Sequence, residues 1–183
     1  MIIQQMLKTW GVIKSEQEIS CSDIPEYLLK NYPSKCFYVD FFPEVINKEN
    51  AYKHDQIEEK VYNLEYDRMY NVLLKLWVYD NLYFESELLH DNVSLKKVPL
   101  LQTFKRLKLS KKLNTALIDN EKNLYSLMNL SRKNVIDLVF VFEELHIVIV
   151  PFWACFFMFI ENDYKSSFIK EIVNLEGLHI RKA

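Results

Sequence analysis

The chain has 183 residues, half of them hydrophobic and 26% charged, a balance that suits a single globular domain able to bury a real core. It holds only two glycines, Gly11 and Gly177, which excludes a GxGxxG dinucleotide turn, a P-loop and a GxSxG nucleophile elbow. The net charge of −2 hides a segregation: residues 1–92 carry 16 acidic and 9 basic side chains, residues 93–135 carry 2 and 10, and residues 136–183 carry 7 and 4. Such asymmetry points to interaction surfaces.

In chain order, "IIQQMLKTWG" sets Ile3, Met6, Leu7 and Trp10 at helical spacing, with Gly11 suited to the stop. "SDIPEYLLKNYP" starts a second short helix, capped by Ser22 or Asp23 with Pro25 in its first turn. "KCFYVDFF" reads as a strand ended by Pro43, and residues 43–54 as a polar loop. A helix follows from Asp55, where Asp55 and Glu58 have capping-box spacing. Ile57, Val61, Leu64 and Val72 fall along one side of it, and Met69, Leu73 and Leu76 extend the apolar face. "VYDNLYFESEL" holds a strand or a turn between strands. Residues 96–130 are ambiguous: Leu113, Leu117, Leu124 and Met128 suit a helix, whereas "LKL" alternates.

"ELHIVIVPFWACFFMFIEN" is the most apolar stretch. Its charge-free part, Ile147 to Ile160, has 14 residues, short of the roughly 20 that a helix needs to cross a bilayer. Pro151 interrupts it, and "IVIV" favours strand. A buried meander is expected: strands near 137–142, 145–150 and 154–160, with turns at Glu143–Glu144 and Pro151. "DYKSSFIKEIVNLEG" closes the chain as an amphipathic helix with Phe168, Ile169, Ile172 and Leu175 inward and Gly177 near its stop. The fold class is α+β, an antiparallel sheet packed by several helices in one domain over residues 1–183.

No arrangement of residues marks catalysis. Cys21, Cys36 and Cys155 are odd in number and lack CxxC spacing, which argues against disulfides and zinc, and no secretory leader is evident, so a reducing cytoplasm is expected. His54, His90, His146 and His179 form neither HExxH nor HxH. Glu143 and Glu144 are adjacent, so on a strand they point to opposite faces. No catalytic residue, metal or cofactor is assigned. The segment "KKVPLLQTFKRLKLSKK", residues 96–112, carries seven basic residues and no acidic one, which suits a phosphate surface or a solvated face. On the helix from Asp55, residues Glu59, Asn63, Tyr66, Asp67 and Tyr70 align in a stripe fit for a basic protein partner, with Glu85 and Glu87 as additions. If the stripe faces water, Tyr66→Ala and Tyr70→Ala leave folding unchanged.

In the acidic half, "DQIEEKVYNLEYDRMY" and "YDNLYFESELLHD" together resemble bacterial toxin-immunity proteins, including those of contact-dependent growth inhibition systems. The resemblance is one of profile, and the basic segment departs from it. It implies a small non-enzymatic cytoplasmic protein that binds and blocks a cognate toxin domain, often a nuclease. The alternatives are a nucleic-acid-associated protein using residues 96–112 and an enzyme whose site assembles from distant residues.

Overall fold

The apolar run folds back on itself twice. β4 (Ile136–Phe142), a turn at 143–146, β5 (Ile147–Pro151) and β6 (Phe156–Ile160) form the expected antiparallel meander. The computed structural model describes residues 2–41, 66–88, 102–103, 105–109, 114–152 and 155–183. Among these, no helix is long and apolar enough to cross a membrane.

The other elements are α1 (Ile2–Thr9), α2 (Ile24–Asn31), a 3-10 turn (Pro33–Lys35), β1 (Cys36–Asp40), helix α3 over residues 66–77, β2 (Leu82–Leu88), β3 (Asn114–Leu117), α4 (Glu121–Arg132), α5 (Asp163–Leu175) and β7 (His179–Lys182). Among the described residues the strands form one seven-stranded sheet in the order β3-β2-β4-β5-β6-β1-β7, antiparallel at every step. An α+β fold is thus established.

Strand side chains alternate between two cores. Phe140, Phe142, Ile147, Ile149, Phe156 and Met158 pack with α3, α4 and α5, whereas Val139, Val141, Val148, Val150, Phe157 and Phe159 pack with α1 and α2. A strand covered on both faces needs apolar residues at every position, so the run reads as continuous instead of alternating. Full burial of each such side chain contributes about 1.5–3 kcal/mol.

Three helices end by the same device. Gly11, Asn134 and Gly177 have φ of 71°, 52° and 68°. In each case that residue donates to the carbonyl three back and its successor to the carbonyl five back: Gly11 to Lys8 and Val12 to Leu7, Asn134 to Ser131 and Val135 to Leu130, Gly177 to Asn174 and Leu178 to Val173. This satisfies carbonyls that the helix leaves open, and the buried Val12, Val135 and Leu178 fasten each stop to a core.

Several expectations are corrected. Leu117 lies on strand β3 and is half-exposed, while the helix of this region begins after Asn120, whose side chain accepts from Asn123 N–H. The "LKL" at 107–109 is not a strand. On α5, Val173 is inward with Ile169 and Ile172, while Leu175 is 69% exposed. One residue is about 100° of helix, so advancing two from Val173 carries Leu175 to the outer side. Cys36 is fully buried and Cys155 only half-buried. Strand β7, absent from the sequence reading, covers β1, with Arg181 held by Asp40 at 3.1 Å through Nε. The expected loop at 43–54 and the start of the helix at Asp55 lie outside the described residues.

The two glycine stops differ in their surroundings, which makes a test. A Cβ at Gly11 meets nothing within 4 Å, whereas one at Gly177 sits 2.7 Å from Arg68 Nη1. Both Gly→Ala variants are expected to lose about 1–2 kcal/mol from left-handed backbone, with the larger loss at Gly177. Urea unfolding of the pair checks this, and equal losses would show that the Arg68 side chain moves aside at no cost.

Candidate functional site

The two tyrosines of the stripe expected on α3 do not face water. Tyr66 and Tyr70 lie in phase with Met69, Leu73 and Leu76, at helical spacings of three and four, so burying one set buries the other. Both rings meet Tyr125 of α4 edge-on, at 6.3 and 5.4 Å; Tyr70 donates to the Glu121 carbonyl at 3.2 Å, and Arg132 lies over the Tyr66 ring. Burial pushes both phenols well above their ordinary value, reinforced by Tyr125 at Tyr66 and by Glu121 at Tyr70. These two residues are corrected to core. Asp67 is exposed, and Glu59 and Asn63 lie outside the described residues.

Glu85 is corrected as well: it is 0% exposed. On β2 it sits opposite Val139 of β4 and Thr115 of β3, on the face covered by α1. Strand alternation places it there, because Phe84 points to the opposite core. Cys21 donates its thiol to Oε1 at 3.6 Å, and the backbone of Ile3, in the first turn of α1, hydrogen-bonds the carboxyl. Glu85 therefore joins the positive end of a helix to the sheet. Among the described residues Oε2 has no hydrogen-bond partner. Burial raises the carboxyl above its ordinary value, against the bonds from Cys21 and Ile3, and Glu87 adds to the rise.

Next to this group is a cavity of about 130 Å³ lined by Cys21, Ser22, Ser131, Asn134, Asp137 and Phe152, among others. The half-buried Glu87 and Asp137 stand directly opposite each other across β2 and β4. Cys21 lacks the character of a nucleophile, since burial and then the charge of Glu85 hold its thiol well above the ordinary value and keep it protonated. Burial likewise pushes the Cys36 thiol to about 12. Among the described residues no group of three or more His, Cys, Asp or Glu is placed to hold a metal ion.

At the opposite end of the sheet, four segments converge on His146. Its ring stacks on Trp10 at 4.6 Å, and Nδ1 lies 3.1 Å from Glu161, which also pairs with Lys35 at 3.3 Å. The His146 hydrogen bond, ahead of the Lys35 contact, holds the Glu161 carboxyl below its ordinary value despite partial burial. The backbone at His146 has φ of 55°, so the turn is tight. Glu143 and Glu144 occupy the turn, as expected, and Glu143 accepts a hydrogen bond from Tyr83. His179 is exposed on β7; His54 and His90 lie outside the described residues.

The strongest outward features are apolar. Val78 is 81% and Tyr164 96% exposed, and Tyr79 is also exposed while meeting Phe168 edge-on at 4.9 Å. They lie where α3 ends and α5 begins. Sequence reading missed them because Val78 and Tyr79 fall in the turn after α3, and Tyr164 lies in the first turn of the amphipathic α5. The basic segment 96–112 is described only at 102–103 and 105–109, where Arg106 donates to Ser126.

The architecture defines a three-layer α+β domain, with helices on both faces of a wholly antiparallel sheet. Comparison with protein families, curated proteins and solved structures finds no match for this chain.

Substitutions at two positions separate packing from interaction. The Tyr66 hydroxyl is buried with no hydrogen-bond partner among the described residues, so Tyr66→Phe is expected to keep or raise stability, while Tyr66→Ala costs about 3–5 kcal/mol through the lost ring. Glu85 binds its proton more tightly folded than unfolded, so its contribution is greatest below the ordinary carboxylate range and is lost as pH rises toward the raised value. Glu85→Gln should flatten the fall in stability above about pH 4.3. Urea midpoints measured across pH check both, and a Gln variant with the wild-type slope would remove Glu85 as its source.

Proposed function

We propose that this protein is a non-enzymatic protein-binding domain of the immunity type, which neutralises a cognate toxin domain in the cytoplasm by occupying its surface. The observation that carries the reading is the pair of exposed tyrosines, Tyr79 and Tyr164, set beside Val78 and near carboxylates on the outside of the helical layer. Tyrosine with flanking charge is the chemistry of protein interfaces: the rings supply rigid contact area, and the carboxylates steer a basic partner. Buried acids and thiols, by contrast, serve the fold. Glu85 anchors α1, and Cys21 remains protonated.

The partner is a basic protein, with a nuclease domain as one class that fits, since such a domain presents lysine and arginine for phosphate. The interface moves from the stripe at Glu59–Tyr70 to the outer surface of α3 and α5, with Asp67 retained. Glu87 is half-buried and lies on the other face of the sheet.

Co-expression tests the reading. Fragments of the source genome that arrest growth of a bacterial host are selected, and this chain is expected to restore growth against one of them while forming a stable complex with it. Restored growth without a complex, or no rescue across the library, would overturn the immunity reading. Nuclease activity in the rescued toxin would identify the class.

A further inference from the structure

Helices α3 and α5 run antiparallel over one face of the sheet. Arg68 of α3 donates to the Gly177 carbonyl at 3.2 Å, Asn71 and Lys75 hold Glu176 at 3.0 and 2.6 Å, and Tyr79, just beyond α3, meets Phe168. Their outer sides make one strip. On α5, Tyr164, Phe168, Glu171 and Leu175 follow at offsets of four, seven and eleven, which places them along one helix side. From Tyr164 to Leu175 this line is about 16 Å long. Val78 and Tyr79 widen it at the Tyr164 end.

The bases beside the strip are half-exposed, and each is held by a neighbour within the fold. Lys75 is paired with Glu176, Lys165 donates to the Glu144 carbonyl, Lys170 lies over the Phe37 ring at 5.3 Å, and Arg68 lies over Phe41 at 5.0 Å. Asp67, Glu144, Asp163 and Glu171 are exposed, and among the described residues no base forms an ion pair with any of them. An apolar line bordered by open carboxylates is complementary to an amphipathic helix with an apolar stripe between arginines or lysines.

We infer that this strip is the docking surface for a basic amphipathic helix of the partner protein, an inference that rests on the protein-binding reading above. Tyr164, Phe168 and Leu175 contact the apolar stripe of the incoming helix. Asp163, Glu171 and Glu144 meet its cations, and a guanidinium can also lie over the open Tyr164 ring.

The probe is a synthetic helix of leucine and arginine, titrated into the isotope-labelled full chain. Amide shifts are expected at Val78, Tyr79, Tyr164, Phe168 and Glu171. The combined Tyr164→Ala and Glu171→Lys variant should weaken binding by about tenfold or more, and high salt should weaken the wild type because exposed charges act over about 10 Å at 0.1 M. Both residues are exposed, so the thermal transition of the variant serves as the folding control. Shifts confined to other surfaces, unchanged affinity of the variant, or a dimer of the chain that Tyr164→Ala dissociates would each overturn the proposal. A variant that still rescues growth also overturns the strip and leaves the immunity reading standing. Failure of the wild type to rescue removes that reading, while the titration still measures the strip.

Discussion

Double coverage of the sheet is the constraint on which the rest of the structure depends. Val139, Val141, Val148 and Val150 need α1 and α2, just as Phe140, Phe142, Ile147 and Ile149 need the other helices. With one layer removed, the central strands would present a wholly apolar face to water. The two layers are therefore linked through the sheet, and each helix must end where its strand connection begins. Local termination by Gly11, Asn134 and Gly177 supplies those ends.

The smaller layer contains the principal electrostatic conflict. Glu85 occupies a position where β2 alternation and the neighbouring valines would suit an apolar residue. Its proximity to the first turn of α1 and to Cys21 offsets part of the desolvation. A carboxyl with one oxygen unpartnered weakens the layer, yet it fixes where α1 begins relative to β2. The opposite end of the same layer is held at the surface, where Trp10 stacks on His146 and Glu161 joins that ring to Lys35. One end is thus anchored by a buried acid, and the other by a solvent-accessible network.

The meander was legible because several sequence signals agreed: charge boundaries, Pro151 and the β-branched residues of "IVIV" all favour strands. Gly11 and Gly177 were legible as stops for the same reason. Tyr66 and Tyr70 were misplaced because tyrosine suits both a core and an interface, and their spacing from Met69 and Leu73 decides for the core. Glu85 was misplaced because strand phase cannot be assigned from "YFESEL" without knowing that α1 covers the odd-numbered positions. β7 was missed because "HIRK" has little apolar content of its own, and its pairing with β1 spans most of the chain. The exposed α3–α5 strip combines residues far apart in sequence, so no local window contains it.

The edge formed by β7 has a consequence for association between copies. It is short, and of the two cations in "HIRK" Arg181 is paired with Asp40 while Lys182 is exposed. Beneath it, Cys36 and Val39 of β1 are fully buried. β7 is thus a short cover carrying an exposed lysine, a familiar defence against sheet-to-sheet growth. Peeling it away would replace a cationic border with the much less polar "CFYVD". The last strand to join the sheet in sequence order therefore shields β1 from strand exchange, independently of any partner on the helical side.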